Sequence, residues 1–346
     1  MLRSLLRDGG NVPAAAAAAA VAAYCASSRA TSTARSESPT GFARQPPRAI
    51  ISDPDVFAAK LSRMAADGPS QLLMIADFDY TLTPYYTPKG EHAHSCHGII
   101  SGSGFLGPEF QAKANALFQQ FYPIEISPLL THDEKEPHMI EWWERSHKIM
   151  VEYGLHAHHI QDAVADADIT FRAGFRPLFA SLATANVPTL IFSAGLADVI
   201  QAVMNKTWGD AFWTPNVHVI SNVMEFEPTT GRLVGFQEKL IHCHNKNTAV
   251  VRDTPFWDEC HSRRNVVLLG DSIGDVNMTE GLDGKEVLRI GFLNTHIEER
   301  MAEYLSLYDV VIVNDGTLHF AHVVVDLITR PPSPPRSVAE VPLAGL

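Results

Sequence analysis

One stretch constrains this chain more than any other: Leu72-Leu73-Met74-Ile75-Ala76-Asp77-Phe78-Asp79-Tyr80-Thr81-Leu82-Thr83. An apolar run of strand length stops at two aspartates and turns. A continuous apolar run bounded by turn signals predicts a strand buried on both faces of a parallel sheet. Strand geometry repeats every two residues, so Asp77 and Asp79 can point the same way just beyond the strand end. Ligands of open α/β sheets sit at the carboxyl ends of the strands. Two carboxylates placed there repel unless a cation or a shared proton intervenes. Taken alone, the pattern also reads as two solvated aspartates in a turn.

The formal net charge of −12 over 346 residues argues against a general nucleic-acid or membrane surface. An anionic substrate would therefore need local positive charge from a metal, a lysine or helix N-termini. Cys25, Cys96, Cys243 and Cys260 form no CxxC pair, so reduced thiols are expected. His92, His94, Cys96 and His97 lie close in sequence, but no second cluster completes a tetrahedral zinc set, and they read as loop residues.

Residues 1–48 stand apart from the rest. Arg3, Arg7, Arg29, Arg35, Arg44 and Arg48 face only Asp8 and Glu37, beside an alanine run and a Ser/Thr-rich sequel. Such composition fits either an organelle transit peptide or a disordered extension; the apolar part, residues 12–26, is too short and alanine-dominated for a membrane span. A helix is predicted over 53–66, with Asp53 as N-cap and Pro54 in the first turn. Residues 85–107 read as loop. Helices follow over 108–122, 134–153 and 159–167, the second carrying the stripe Met139, Trp142, Trp143, His147 and Met150. Strands resume at 188–192, 217–221, 265–269, 287–290 and 310–313, alternating with helices. The expected organisation is an α/β core over 49–90 and 172–329, a helical insertion over 91–171, and a Pro-rich disordered tail over 330–346.

Further strand ends echo the first. Leu190-Ile191-Phe192 runs into Ser193-Ala194-Gly195 before a helical segment, and a hydroxyl with backbone N–H groups at a helix N-terminus can cradle phosphate. A serine N-cap is the commonplace alternative. Lys246, in Asn245-Lys246-Asn247, can supply compact positive charge, or be a plain surface lysine. Val266-Val267-Leu268-Leu269 ends in Gly270-Asp271-Ser272-Ile273-Gly274-Asp275, an acidic loop whose glycines let carboxylates approach a cation.

In this order the motifs resemble the haloacid dehalogenase superfamily: Asp77 to Thr81, then Ser193, then Lys246, then Asp271 with Asp275. Tyr122-Pro123-Ile124-Glu125, Glu141-Trp142-Trp143, Ile191 to Gly195, Asn245-Lys246-Asn247, Gly270 to Asp275 and Ile290-Gly291-Phe292-Leu293-Asn294 resemble, more narrowly, the cytosolic pyrimidine 5′-nucleotidase family, over roughly residues 53–327. The resemblance implies a Rossmann-like parallel-sheet core with an inserted α-helical cap. It implies a Mg²⁺-dependent 5′-nucleotidase acting on nucleoside 5′-monophosphates, monomeric and cytoplasmic, with no nucleic-acid polymer or membrane partner. A mitochondrial or plastid location through the N-terminal extension is the alternative address.

The same resemblance assigns roles. Asp77 is nucleophile and metal ligand. Asp79 is general acid and then base, with its main-chain carbonyl on the metal, so its surroundings should raise its pKa. Asp271 is the third protein ligand, while Asp275 and Thr81 support the site. Ser193, the Ala194 N–H and Lys246 hold phosphate. Glu125 reads the base, as a pure acceptor suited to an amino group or ring N–H. Trp143 stacks on the base or serves as cap core, and Ser146 lies one helical turn on. Family members acting on UMP and CMP tend to carry Tyr and Ser at these two positions; those acting on 7-methylguanosine monophosphate carry Trp without the serine. This chain combines Trp143 with Ser146, so the expectation is pyrimidine monophosphates with measurable turnover of the methylated purine. Competing expectations are a small-metabolite phosphatase of phosphoserine type and a catalytically idle nucleotide-binding relative.

Overall fold

Every residue of the central strand, β2 (Leu72–Ala76), is buried, and its side chains alternate between the two faces of the sheet. Leu72, Met74 and Ala76 join one apolar cluster, and Leu73 and Ile75 a second on the opposite face. The computed structural model describes residues 45–330 apart from 128, 210, 211, 238, 253 and 283. Residues 1–44 and 331–346, which hold nearly all of the expected extension and tail, lie outside the described residues. No described helix is long and apolar enough to cross a membrane.

The elements run in the order β1 (Arg48–Ile51), α1 (Pro54–Asp67), β2, α2 (Cys96–Gly102), α3 (Gly107–Glu125), α4 (His132–Glu152), α5 (Ala157–Asp166), α6 (Phe175–Thr184), β3 (Thr189–Leu196), α7 (Ala197–Trp208) and β4 (Val217–Asn222). They continue with β5 (Met224–Phe226), β6 (Leu233–Phe236), α8 (Thr248–Val251), α9 (Pro255–Cys260), β7 (Asn265–Gly270), β8 (Glu286–Leu293), α10 (Ile297–Leu307), β9 (Val310–Val313) and α11 (His319–Thr329). A seven-stranded sheet has the order β1-β9-β8-β7-β2-β3-β4. Every neighbouring pair is parallel except β1 with β9. The chain leaves β2 toward β3 and β4, then returns to β7 on the other side. That reversal opens a crevice at the carboxyl end of β2.

Local chemistry sets the element ends. Asp53 caps α1 through Oδ1, which accepts from the Asp55 and Val56 N–H groups at 3.0 Å each. Thr131 and Glu134 form a reciprocal capping box that starts α4. Between β2 and β3 the chain is helical, as the sequence predicts, with Leu117, Phe121 and Met139 forming a small apolar cluster of their own.

Three expectations need correction. The supposed loop over 85–107 contains α2, capped by Ser95 Oγ accepting from the Gly98 N–H at 3.2 Å. Its glycines and histidines hid the pattern, although Cys96, Ile99 and Ile100 are fully buried. Arg48 belongs to β1 rather than to the extension. The β5–β6 hairpin was not expected; its strands are three and four residues long, too short for a periodicity to register. That hairpin reaches the inserted helices: the Phe236 ring stacks on His147 at 3.7 Å, and the Leu233 N–H donates to the Leu155 carbonyl at 2.7 Å.

Candidate active site

Asp77, Ser193 and Asp271 come from the ends of three adjacent strands, β2, β3 and β7. Parallel pairing brings them together, since Ala76 lies opposite both Ile191 and Leu269. The Asp77 N–H donates to the Leu269 carbonyl at 3.0 Å, so the ladder continues into the turn that follows β2. Carboxylate oxygens of Asp77, Asp271 and Asp275 all lie within 4.8 Å of one another. Lys246, 3% exposed, donates to Asp77 Oδ1 at 2.7 Å and also to Asp275 Oδ1.

The remaining oxygen of Asp275 accepts from the Asp271 and Ser272 N–H groups at 3.0 and 2.9 Å. Asp275 therefore ties the acidic loop together and orients Lys246. Gly270 makes this possible, because a Cβ there would lie 2.4 Å from Asp275 Cβ. Tyr304 and Tyr308 donate their hydroxyls to the Asp271 and Ser272 carbonyls at 2.5 Å each. The Tyr308 ring fits against β8 only because residue 291 is glycine; a Cβ there would meet the ring at 2.7 Å. Thr81 Oγ1 donates to Asp271 Oδ1 at 3.3 Å.

The electrostatics follow from crowding. Burial pushes the Asp77 carboxyl up to about 7; Lys246 opposes this, and Asp275 and Asp79 add to it. Asp271 is likewise pushed well above the usual carboxylate range by burial, then by Asp275 and Asp77. Burial alone would lower the Lys246 pKa, but Asp275 and Asp77 more than reverse that and hold it charged. Lys246 is thus one positive charge among three clustered carboxylates. The donor set is oxygen only, with no imidazole or thiolate, and suits a hard divalent cation.

Asp79 is not part of this carboxylate group. Its Oδ1 accepts from the Cys96 N–H at 3.0 Å and the Cys96 thiol at 3.3 Å. Burial raises its pKa to about 6, with both Cys96 bonds working in the opposite direction. The intervening backbone is unusual: Tyr80 has φ 61°, a left-handed conformation rare outside glycine. Arg172 holds it there. Its guanidinium donates to the Tyr80, Thr81 and Gly316 carbonyls at 2.7, 2.9 and 2.6 Å, and to Asp315 and Asn294 at 2.8 Å each. Asn294, the last residue of the Ile290–Asn294 motif, adds its own bond to the Tyr80 carbonyl at 3.2 Å.

The expected phosphate loop lies in the strand rather than at a helix N-terminus. β3 runs on to Leu196, and its register with β4 shifts between Phe192 and Leu196, so Ser193-Ala194-Gly195 bulges at the sheet end. Ser193 Oγ accepts from the Gly195 N–H at 3.0 Å. The Ala194 carbonyl accepts from Asn222 Nδ2 and from Trp143 Nε1, both at 2.9 Å. Trp143 is therefore fastened to the Ser193–Gly195 bulge and also packs on the cluster of Leu117, Phe121 and Met139. Glu125 ends α3, where Lys135 Nζ donates to its main-chain carbonyl at 2.9 Å. Burial raises the Glu125 pKa, against hydrogen bonding by Cys243 and the nearby charge of Lys135. Ser146 is half-buried one turn beyond Trp143.

Sequence reasoning missed Cys96, Arg172, Asn222, Tyr304 and Tyr308. They act through backbone carbonyls or a single carboxylate, and no spacing marks such partners. For Arg172 the expected outcome is specific. Arg172→Met should destabilise the protein by about 3–5 kcal/mol, because it removes five guanidinium bonds and the buried charge that pairs with Asp315. Urea unfolding of wild type and variant checks it, and a midpoint shift equivalent to less than about 1 kcal/mol would show that the guanidinium does not hold this loop.

Comparisons with known proteins place the chain in a family. The family model described as pyrimidine 5′-nucleotidase (UMPH-1) matches residues 80–329. The chain is similar to the 7-methylguanosine phosphate-specific 5′-nucleotidase A of Xenopus laevis, at 35% identity over 278 residues, which are 80% of this chain and 94% of that protein. It is also similar to the putative cytosolic 5′-nucleotidase 3 of Caenorhabditis elegans, at 36% identity, covering 81% and 75%. Among solved structures it resembles cytosolic 5′-nucleotidase IIIB bound to cytidine, with TM-score 0.73, 32% identity and coverage of 81% and 93%. A HAD family hydrolase from Salmonella enterica serovar Typhi shares the fold at 14% identity, with TM-score 0.50 and coverage of 75% and 73%. The chain thus carries the haloacid dehalogenase fold, and on the extent of these matches it belongs to the pyrimidine 5′-nucleotidase (UMPH-1) family.

Proposed function

We propose that this protein is a Mg²⁺-dependent 5′-nucleotidase that hydrolyses nucleoside 5′-monophosphates to nucleoside and phosphate. The observation that carries the reading is the convergence of Asp77, Asp271, Asp275 and Lys246 at the carboxyl ends of adjacent parallel strands. Relatives named as 5′-nucleotidases supply the reaction class. Asp77 attacks phosphorus and forms an aspartyl-phosphate as the P–O bond to the nucleoside breaks. Asp79 gives its proton to the departing 5′-oxygen, then takes one from the water that cleaves the acyl phosphate. A buried carboxyl whose pKa lies near 6 can hold that proton when substrate arrives. Lys246, Ser193 and the Ala194 N–H neutralise and orient the phosphoryl oxygens.

Asp77, Asp271 and the Asp79 main-chain carbonyl are the ligands we assign to Mg²⁺. When bound it supplies the positive charge that three clustered carboxylates and a dianionic phosphate require. Residues 91–171 act as a cap over the core formed by 49–90 and 172–329, and exclude water from the site. In that cap Glu125 accepts from base N–H groups, Trp143 offers its ring face, and Ser146 borders the same pocket. Its location would be the cytosol, in line with the name of the nematode relative.

Three outcomes are expected. Asp77→Asn lowers turnover by about a thousandfold or more while circular dichroism stays that of wild type; turnover near wild type would remove Asp77 as nucleophile. Activity disappears with EDTA and returns with added Mg²⁺, and full activity after exhaustive chelation would contradict the metal assignment. The third concerns the base. The Trp143 face should favour cationic 7-methylguanine by roughly 0.5–2 kcal/mol, which is several-fold to about thirtyfold in specificity constant; Ser146 favours the pyrimidine pocket. Assays of CMP, UMP, GMP and 7-methylguanosine monophosphate on wild type, Trp143→Ala and Glu125→Ala measure this. Unchanged preferences in both variants would show that the cap does not read the base.

A further inference from the structure

The side chain that holds the Asp79 carboxylate belongs to the inserted segment, not to the strand that leads into Asp79. Between the two the chain folds back on itself. The Thr87 N–H donates to the Glu91 carbonyl at 2.8 Å and the Ala93 N–H to the Tyr85 carbonyl at 2.9 Å, with an antiparallel bridge between Tyr86 and His92. This narrow hairpin is anchored on both sides. Asp315, the carboxylate that pairs with Arg172, accepts from the Tyr85 and Tyr86 N–H groups at 2.8 and 3.1 Å. The Tyr80 hydroxyl donates to the Ala93 carbonyl at 3.2 Å, and the His92 ring lies 4.4 Å from that of Tyr85. Ser95 then caps α2, and Cys96 arrives beside Asp79, fully buried. Cys96 is also wedged against the Ser193–Gly195 bulge, since a Cβ on Gly195 would lie 3.0 Å from both its Cβ and its sulfur. From this fixed position its N–H and its thiol donate to the same oxygen, Asp79 Oδ1, at 3.0 and 3.3 Å.

We propose that Cys96 is a positioning residue for proton transfer: its thiol, with its N–H, holds the Asp79 carboxyl so that Oδ2 is the oxygen that gives a proton to the leaving group and later takes one from water. This inference rests on the reading of Asp79 as general acid and base. Two donors on one oxygen fix the rotation of a carboxyl group, which a single bond leaves free to turn. With Oδ1 accepting from both, the proton of the neutral acid belongs on Oδ2, because on Oδ1 it would face two other hydrogens. Proton transfer also needs heavy atoms within about 2.6–3.2 Å of each other, so an unrestrained carboxyl spends part of its time in unproductive orientations. α2 lies within the inserted residues 91–171, and the insertion thereby contributes to the chemical step itself.

The test follows phosphate release from CMP or 7-methylguanosine monophosphate, whichever is the better substrate, and separates kcat from KM. Cys96→Ala, which removes the thiol and keeps the N–H, should lower kcat about tenfold with KM within about twofold of wild type. The loss stays below the roughly 10²–10⁴-fold contribution of a general acid–base because one donor remains. Cys96→Val, which removes the donor and fills the space, should do the same, and it stands in if urea unfolding shows that the alanine variant does not fold. Cys96→Ser, which keeps a donor, should hold kcat within about threefold of wild type. In an Asp79→Asn background Cys96→Ala should cost less than about twofold, since a thiol that acts through the Asp79 carboxyl then has nothing left to position. Unchanged kcat in the alanine or valine variant, an equal loss in the serine variant, a loss confined to KM, or an undiminished loss in the Asp79→Asn background overturns the inference. Asp79→Asn alone separates the two readings. If it lowers kcat and Cys96→Ala does not, only the role of Cys96 falls; if it leaves kcat at the wild-type level, the acid–base role of Asp79 falls first.

Discussion

Negative charge gathered in a small dry volume is the constraint around which this molecule is arranged. Asp77, Asp271 and Asp275 would repel one another out of the site without Lys246 between Asp77 and Asp275, two backbone N–H groups on Asp275 and the Thr81 hydroxyl on Asp271. Burial makes each charge more costly and each ion pair stronger. The parallel sheet supplies the rigidity that this requires, because the acids stand on adjacent strands whose register is set by hydrophobic burial on both faces. Supporting side chains then act on backbone: Tyr304 and Tyr308 on the acidic loop, and Arg172 and Asn294 on the left-handed turn at Tyr80. A positive φ at a tyrosine is a local cost that the five bonds of one guanidinium offset.

A second level of organisation joins core to cap. The indole N–H of Trp143 is bonded to the Ala194 carbonyl in the phosphate loop. The β5–β6 hairpin stacks Phe236 on His147, four residues further along α4. His132, at the start of α4, lies within 3.0 Å of the His244 carbonyl through Nε2. These contacts bring α4, the end of β3, the β5–β6 hairpin and the His244 loop into one arrangement.

Much of this was legible in the residue order. The apolar runs of β2, β7 and β9 announced buried parallel strands, and the aspartates that follow β2 and β7 announced the candidate site. Asp53 and Pro54 marked the start of α1, and the stripe of α4 placed Met139, His147 and Met150 inside. α2 was not legible, because His94, Gly98 and Gly102 break its apolar pattern even though the His94 ring packs over both glycines. The bulge at Ser193 was not legible either, because Ser-Ala-Gly looks the same at a helix start and at an irregular strand end.

By itself the sequence determined which chemical groups stand at the strand ends, since a carboxylate, a lysine or a hydroxyl is what it is at any position and the strand period fixes which of them emerge together. Only the tertiary structure decided what each group touches. It separated Asp79 from the other acids by giving its carboxylate to Cys96, and made Asp275 an organiser of Lys246 and the acidic loop. The physical reason is the range over which each signal acts. Hydrophobic period and turn chemistry are local and read out over a few residues. Hydrogen bonds and desolvation depend on partners far away in the chain, such as Arg172 with Tyr80 or Lys246 with Asp77, and these meet only once the sheet has assembled.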